Sequence, residues 1–406
     1  MMSDPIRSWQ GFLRQDGSKG IRNKVLVIYT VECASFVAKA IGAEFPGDDV
    51  DVVGFQGCTD NEYAVRMLLA LIRHPNVGAV LAVGLGCEYI QADRLARKAE
   101  EAGKPGAWML IQECGGTPGS VARGREIVAD FLRRLAVESI RIEMGLADLI
   151  LGAECGGSDF TSGLAGNVVV GKCFDRLVDS GGTAIFEEIV EAVGLKDQLA
   201  ARGRADQARR EIGATYDKAL EYCKSVRQFS VSPGNFAGGL STIEEKSMGA
   251  LAKSGSRPIE GVLKASQRPG CKGLWLLDST PDPYWMGFGY TNPNDNEGLT
   301  VLASCGAQLL FLVTGRGTVV GNAVAPVLKI TGNESTYRRM EDDLDFCAGP
   351  ALSGEKTLEE LAAELIEAVI EVCAGRPTKA ERLGHKEYYI PYKYQNLEEP
   401  TKRCNP

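Results

Sequence analysis

An α/β architecture is what this sequence predicts: two Rossmann-like halves with mostly parallel sheets covered by helices on both faces. Three observations carry that expectation. Strand-like runs alternate with helical segments, the strand runs are apolar throughout, and glycine follows several of them. At 406 residues the chain is also too long for one small core.

Residues 24–30, KVLVIYT, form a β-branched strand run, and 31–45 have helical spacing. Residues 51–55 repeat the strand signal, and 62–75 form an amphipathic helix that ends before Pro75. Residues 77–86 are a continuous apolar strand running into glycine, followed by a polar-faced helix over 91–105. A strand over 107–112, a helix over 118–144 and a strand over 148–154 close this series. Farther on, 168–194 read helix, turn, strand, helix, and 195–230 are helical and strongly charged. Residues 232–255 begin as irregular loop and then enter a helix. Residues 272–278 and 307–315 are strands, joined by a long segment rich in Pro, Tyr, Asn and Gly. An amphipathic helix covers 357–375. The expected division is 1–150, 151–375 and a polar, Tyr-rich tail over 376–406.

Composition narrows the function. A net charge of −8 gives no nucleic-acid footprint. No apolar run approaches the roughly 20 residues of a membrane helix. The N-terminus has no apolar signal region, so the expected compartment is the cytoplasm. Twelve cysteines without an export signal or CxxC pairs argue against a disulfide framework or a zinc ribbon. With only His74 and His385 present, a Ser-His-Asp triad or a histidine-rich metal site is not expected. His74 itself reads as a helix-end or turn residue.

Candidate chemistry gathers where strands run out, the edge at which open α/β sheets bind ligands. FQGCTDNE (55–62), GLGCE (84–88), QECGGT (112–117), AECGGSD (153–159) and TGRGT (314–318) all stand there, four of them with Cys beside Gly. Cys155, Cys58 and Cys87, with Glu88, are the candidate metal ligands, since thiolates suit zinc, iron or an iron–sulfur cluster and a carboxylate beside them suits ferrous iron. Each of these cysteines is equally a small residue that tolerates a tight turn. Arg316 between two glycines suits a substrate carboxylate, because its planar fork matches two oxygens. Neither a P-loop nor a complete dinucleotide fingerprint is present. In SPGNFAGGLSTIEEKSMG (232–249), Asn235, Glu244, Glu245 and Lys246 crowd one loop-to-helix segment. Adjacent acid and base groups can carry protons. Glutamates there also suit an ordinary first helical turn, whereas a lysine does not.

GIRN (20–23), HPNVGAVLAVGLGCE (74–88), ECGGSD (154–159), SPGNFAGGLSTIEEKSMG and FLVTGRGT (311–318) together resemble the altronate and galactarate dehydratase family, which includes the large subunit of sulfolactate sulfo-lyase. The resemblance runs from about residue 11 to about 375. It implies a lyase that removes water, or sulfite, next to the α-carbon of a small hydroxy (sugar) acid, leaving a 2-keto-3-deoxy acid when water is lost. It implies a divalent metal, usually Fe2+, ahead of Mn2+ or an iron–sulfur cluster. Catalytic roles then fall to Lys246, Glu245 and Asp159, and substrate contacts to Arg22, Asn23, Ser158, Asn235 and Arg316. Of the two Glu-Cys-Gly-Gly copies, that at 154–157 belongs to the family pattern, and Cys114 in the other is expected to be structural. The family's sugar-acid dehydratases begin with a small domain absent here, which implies a separate small subunit. Residues 278–298 differ from the shorter stretch expected, and the position near Gln308 lacks the expected Cys-His pair. A carbon–sulfur lyase acting on sulfolactate, and a non-catalytic large subunit, are the alternatives. A homo-oligomer with no membrane or nucleic-acid partner completes the expectation.

Overall fold

Apolar runs without alternation make strands that need cover on both faces, and the chain supplies it in layers. The computed structural model describes residues 8–47, 49–227, 233–284, 287–288 and 294–397. Two short strands, β1 (Trp9–Leu13) and β2 (Lys19–Gly20), open the chain. Four then pair in parallel in the order β4-β3-β5-β6: β3 (Lys24–Tyr29), β4 (Val50–Gly54), β5 (Val77–Gly84) and β6 (Gly106–Leu110). β7 (Arg141–Met144) returns antiparallel to β1. A seven-stranded parallel sheet follows in the order β10-β11-β9-β8-β12-β13-β14. Its members are β8 (Ile150–Cys155), β9 (Thr183–Phe186), β10 (Ile259–Lys264), β11 (Gly273–Asp278), β12 (Leu309–Val313), β13 (Val327–Thr331) and β14 (Phe346–Cys347). The two parallel sheets, covered by helices, are the α/β architecture the sequence predicts.

Three departures have physical reasons. The helix expected over 118–144 stops at Glu138, and Arg141–Met144 become β7 because β1 offers them a ladder far away in sequence. The helix expected after residue 186 is absent over 187–192, where Glu188 holds a left-handed φ of 95°. Strands β10 and β13 and the helix Asp295–Ser304 stand where no element was expected. Residues 228–230 of the expected charged helix lie outside the described residues.

The sheets share one core layer. Leu26, Ile28 and Leu68 from the first sheet and its helices join Trp275, Leu302 and Leu310 from the second in one buried cluster. At its edge, Asn76 donates through Nδ2 to Gln308 O at 2.8 Å and accepts from Ile21 N at 3.0 Å. His74 Nε2 meets Ala307 O at 2.9 Å, and Nδ1 accepts from Asn76 N at 3.1 Å. These partners assign the neutral ring with its proton on Nε2. Gln308 lies at the amino end of β12, away from the ligand edge, and donates to Lys19 O at 2.6 Å. The segment from residue 384 to 397 packs against the body of the chain. It lies across both sheets, with Tyr388 against Tyr29 and Lys393 buried.

Burial holds the His74 pKa down to about 3 from the usual 6.5. Between those values the unfolded chain binds the proton and the folded chain does not. Stability is therefore complete above pH 6.5 and falls as pH drops toward 3. Replacing His74 by Gln should remove up to one proton from that slope, about 1.4 kcal/mol per pH unit. Urea unfolding midpoints measured from pH 7 to 4 check this; an unchanged slope would place the sensitivity elsewhere.

Candidate functional site

The ligand edge of the large sheet is built around β8. Its register sets Ala153 beside Phe186 of β9 and Glu154 beside Leu312 of β12, so Glu154 and Glu187 leave adjacent strands side by side. Around them stand Glu188 and Glu191, both buried, and the partly buried Asp295 at the start of its helix. The helix Ile243–Lys253 answers with two cations, Lys246 and Lys253, seven residues and about two turns apart and so on one face. It is held against the 187–192 loop by Ser247 Oγ, which donates to Glu191 O at 2.6 Å. Gly249 and Gly163 permit its close approach to the π-helical turn Ser162–Gly166, since a Cβ on Gly249 would lie 3.1 Å from Gly163 Cα.

Lys246 Nζ lies 2.8 Å from Glu191 Oε1 and donates to Ser158 Oγ at 3.2 Å. Ser158 Oγ is 3.4 Å from Cys155 Sγ. Burial would lower the Lys246 pKa, but Glu191, then Cys155 and Glu154, outweigh it and hold the ammonium above the ordinary lysine range. Burial dominates at Glu191 and raises its carboxyl despite Lys246. Glu154 is pushed well up by burial and then by Glu187, which also hydrogen-bonds to it. Lys253 pairs with Glu188, and burial lowers its ammonium against the pull of Cys155 and Glu154.

A narrow cleft with room for about one water opens among these groups. Cys155, Ser158, Asp159, Asn167, Glu191 and Lys246 line it, with Leu240 and Glu245 above. Asn167 Oδ1 and Glu154 Oε2 are buried and have no hydrogen-bond partner. A base, an acid, a thiol and an unfilled acceptor therefore converge on one small space.

The structure brings together some of the expected site residues and not others. Cys155, Ser158, Asp159, Glu245 and Lys246 share the cleft. Asp159, however, accepts from Thr161 N, Thr161 Oγ1, Ser162 N and Asn333 Nδ2 at 2.6–3.2 Å, which occupies both oxygens with local structure. Glu245 accepts from Ser241 N at 2.7 Å while its own N–H donates to Thr242 Oγ1, so it caps its helix. Asn235 is buried in the short helix Pro233–Ala237. Exposed Arg316 extends over Gly157 and Gly238 and donates to Gly234 O.

Arg22 and Asn23 stand apart from the cleft. Arg22 is taken by Glu381 at 2.8 Å and by the carbonyl of Val372, and Asn23 by Arg14 and Ser139. The expected metal set is not assembled either. Cys58 and Cys87 are exposed on loops of the first sheet, and Glu88 accepts from Thr30 Oγ1 and Leu85 N. Among the described residues no three His, Cys, Asp or Glu side chains form a ready metal cage. Among the described residues ten cysteines are free thiols.

Sequence reasoning missed Glu187, Glu188, Glu191, Lys253 and Asn167. A signal existed for the first three: Glu-Glu-x-x-Glu directly follows the apolar run Thr183–Phe186, at the edge where ligands bind. Reading that stretch as a helix hid it.

Comparison with known proteins gives consistent matches along the chain. Residues 11–136 match the second domain of D-galactarate dehydratase/altronate hydrolase, and 146–396 match the C-terminal domain of D-galactarate/altronate dehydratase. Altronate dehydratase of Bacillus subtilis is 31% identical over 96% of this chain and 78% of its own length. The (2R)-sulfolactate sulfo-lyase subunit beta of Chromohalobacter salexigens is 30% identical over 96% of this chain and 98% of its own. Galactarate dehydratase (L-threo-forming) of Escherichia coli is 29% identical over 91% and 73%. No helix among the described residues is long and apolar enough to cross a membrane.

Replacing Lys253 by Met strands Glu188 in the interior and should cost about 3–5 kcal/mol of stability. Adding Glu188→Leu should recover most of it, because the pair then leaves together. A double-mutant cycle in urea checks this, and purely additive losses would mean the two charges are not coupled.

Proposed function

The chain belongs to the D-galactarate/altronate dehydratase family, a family of lyases, and from that premise we propose that it removes water from a small hydroxy carboxylic acid of the sugar-acid class. The product is a 2-keto-3-deoxy acid. The observation that carries this reading is the Lys246–Glu191 pair in the cleft, an ammonium and a carboxylate 2.8 Å apart beside Ser158 and Asn167.

In this mechanism Glu191 takes the α-proton, its raised carboxyl being a stronger base when ionised. Lys246 gives a proton to the departing hydroxyl, which leaves as water, and the enol tautomerises to the keto acid. Glu191 then returns its proton to the amine of Lys246, and the pair is reset. Ser158 and the unfilled acceptor on Asn167 orient substrate hydroxyls, and Arg316 at the mouth meets the carboxylate. Asp159 and Glu245 hold the frame.

The metal expected from the resemblance fits the donors in kind. Buried carboxylates outnumber ammoniums here, and Glu154 Oε2 lacks a partner. Oxygen donors with one thiolate suit a ferrous or similar divalent ion. Glu154, Asp295 and Cys155 form no ready cage and would hold it only by drawing together, and a Cβ on Gly156 would lie only 2.9 Å from Asp295 Oδ2, which keeps this carboxylate at the strand end. Bound there, the ion would supply Lewis acidity that favours loss of the α-proton.

A second reading, carbon–sulfur cleavage of sulfolactate, rests on the equal similarity to the sulfo-lyase subunit. That relative is named as a beta subunit, which also supports a separate partner subunit. Phe160, Leu164, Phe236 and Met248, 46–58% exposed on the segments that frame the cleft, are an apolar rim such a subunit would cover.

Keto-acid formation should appear with altronate, galactarate or a related sugar acid; sulfite release from sulfolactate alone would favour the second reading. Glu191→Gln and Lys246→Met should each lower turnover at least about 100-fold without loss of fold. Cys155→Ser should abolish activity and Cys114→Ser leave most of it. Equal effects at the two cysteines would reject the cleft. Iron content of anaerobically purified protein should fall in Glu154→Gln, and undiminished metal would place the ion elsewhere.

A further inference from the structure

Two stretches that the proposed chemistry leaves unused, the loop after β11 and the tail from residue 384, meet behind the carboxylates of the cleft. Ser279 Oγ donates to Glu187 Oε1, and Glu187 in turn is hydrogen-bonded to Glu154. On the other side of Ser279, its carbonyl accepts from Lys393 Nζ at 2.6 Å. The same ammonium pairs with Glu297, and both side chains are almost completely buried. Glu297 precedes Gly298, whose missing side chain makes room for Glu154: a Cβ there would stand 2.3 Å from Glu154 Oε2. Lys393 thus grips both elements that touch the Glu154–Glu187 pair.

Its neighbours in the tail hold the same two elements. Gln395 Nε2 donates to the carbonyls of Asp278 and Thr280 at 2.7 and 3.1 Å. Asn396 N donates to Asp282 at 2.7 Å, and Tyr389 N to Thr300 Oγ1 at 3.1 Å. Lys393 also lies 5.5 Å from the ring centroid of Tyr63, on a helix of the first half. For anchoring alone the tail has better means, since its backbone and Gln395 already make neutral hydrogen bonds. Burying an ammonium needs full compensation, and here the compensating groups are the Ser279 carbonyl and Glu297, on the two elements that touch Glu187 and Glu154.

We propose that Lys393 is a positioning residue of the active site, acting through Ser279 and the helix Asp295–Ser304 to hold Glu187 and Glu154 in place, so that the C-terminal strap is part of the catalytic apparatus. This deepens the reading of the cleft given above and rests on it. Neither Lys393 nor Ser279 lines the cleft, so their loss should act on turnover and leave substrate affinity nearly untouched.

The experiment uses the full chain, with any small subunit, on the acid that gives most product. Lys393→Met should lower kcat about 10- to 100-fold with KM changed less than twofold, and Lys393→Arg, which keeps the charge and the donors, should recover most of it. Ser279→Ala removes one hydroxyl and leaves Lys393 its carbonyl partner; it should lower kcat at least fivefold with an unchanged thermal midpoint. Wild-type kcat in Ser279→Ala, or a Lys393→Met loss matched by the fraction unfolded, would overturn the proposal. Glu191→Gln separates the two readings. If Glu191→Gln is inactive while both positioning variants are fully active, the cleft stands and the strap falls. If Glu191→Gln is active, the reading of the cleft falls first. Hydrogen exchange adds a check that needs no substrate: in Lys393→Met, protection should be lost over 187–191 as well as over 278–284. Loss confined to 278–284 and the strap would also overturn it.

Discussion

Four buried glutamates and a partly buried aspartate stand round the end of one strand with two lysines among them, and this charge excess constrains everything near it. Isolated carboxylates cannot stay ionised in an interior, so each must be paired, protonated or given a cation. Lys246 and Lys253 meet two of the five at direct contact. Burial moves Glu154 and Glu187 upward in pKa, and the hydrogen bond from Glu154 offsets part of the rise at Glu187. Such an arrangement is poor material for stability alone, and its place at the ligand edge of a parallel sheet is where strained electrostatics serve chemistry.

The fold makes the arrangement bearable by enclosing it on every side. The helix Ile243–Lys253 brings its cations in on one face and is seated against a π-helical turn by paired glycines. The helix Asp295–Ser304 crosses between the two sheets and ends its first turn over Glu154. Glu188 adopts a left-handed φ, a conformation with a cost that the Lys253 pair and the surrounding packing sustain. The first sheet contributes no side chain to the lining of the cleft. It acts instead as a buttress, through the shared apolar layer and the His74–Asn76 contacts.

Much of the fold was legible because its signals are local. KVLVIYT and the apolar run at 77–86 declared buried strands, and 357–375 declared its helix. β7 was not legible, since Arg141–Met144 are a strand only by virtue of β1, some 130 residues earlier. Within the site, Cys155, Ser158 and Lys246 were found because a glycine-rich strand end and a misplaced first-turn lysine are unusual. Asp159 and Glu245 were expected to be catalytic, and the structure shows hydrogen bonds that give their carboxylates a local role. Asp159 Oδ1 and Glu245 Oε2 accept from nearby backbone N–H groups, a local use that residue type cannot reveal.

By itself, then, the sequence determined the class of fold and the family to which the chain belongs, and it pointed to the sheet edge where the cleft lies. Those follow from periodicity, glycine placement and motif order, all of which are written along the chain. Only the tertiary structure decided which charges share a space. Glu154, Glu187, Glu191, Asp295, Lys246 and Lys253 come from four separate segments, and Lys393 from a fifth. Their meeting depends on strand order and helix packing, and Coulomb forces act across distance in space with no regard to distance in sequence.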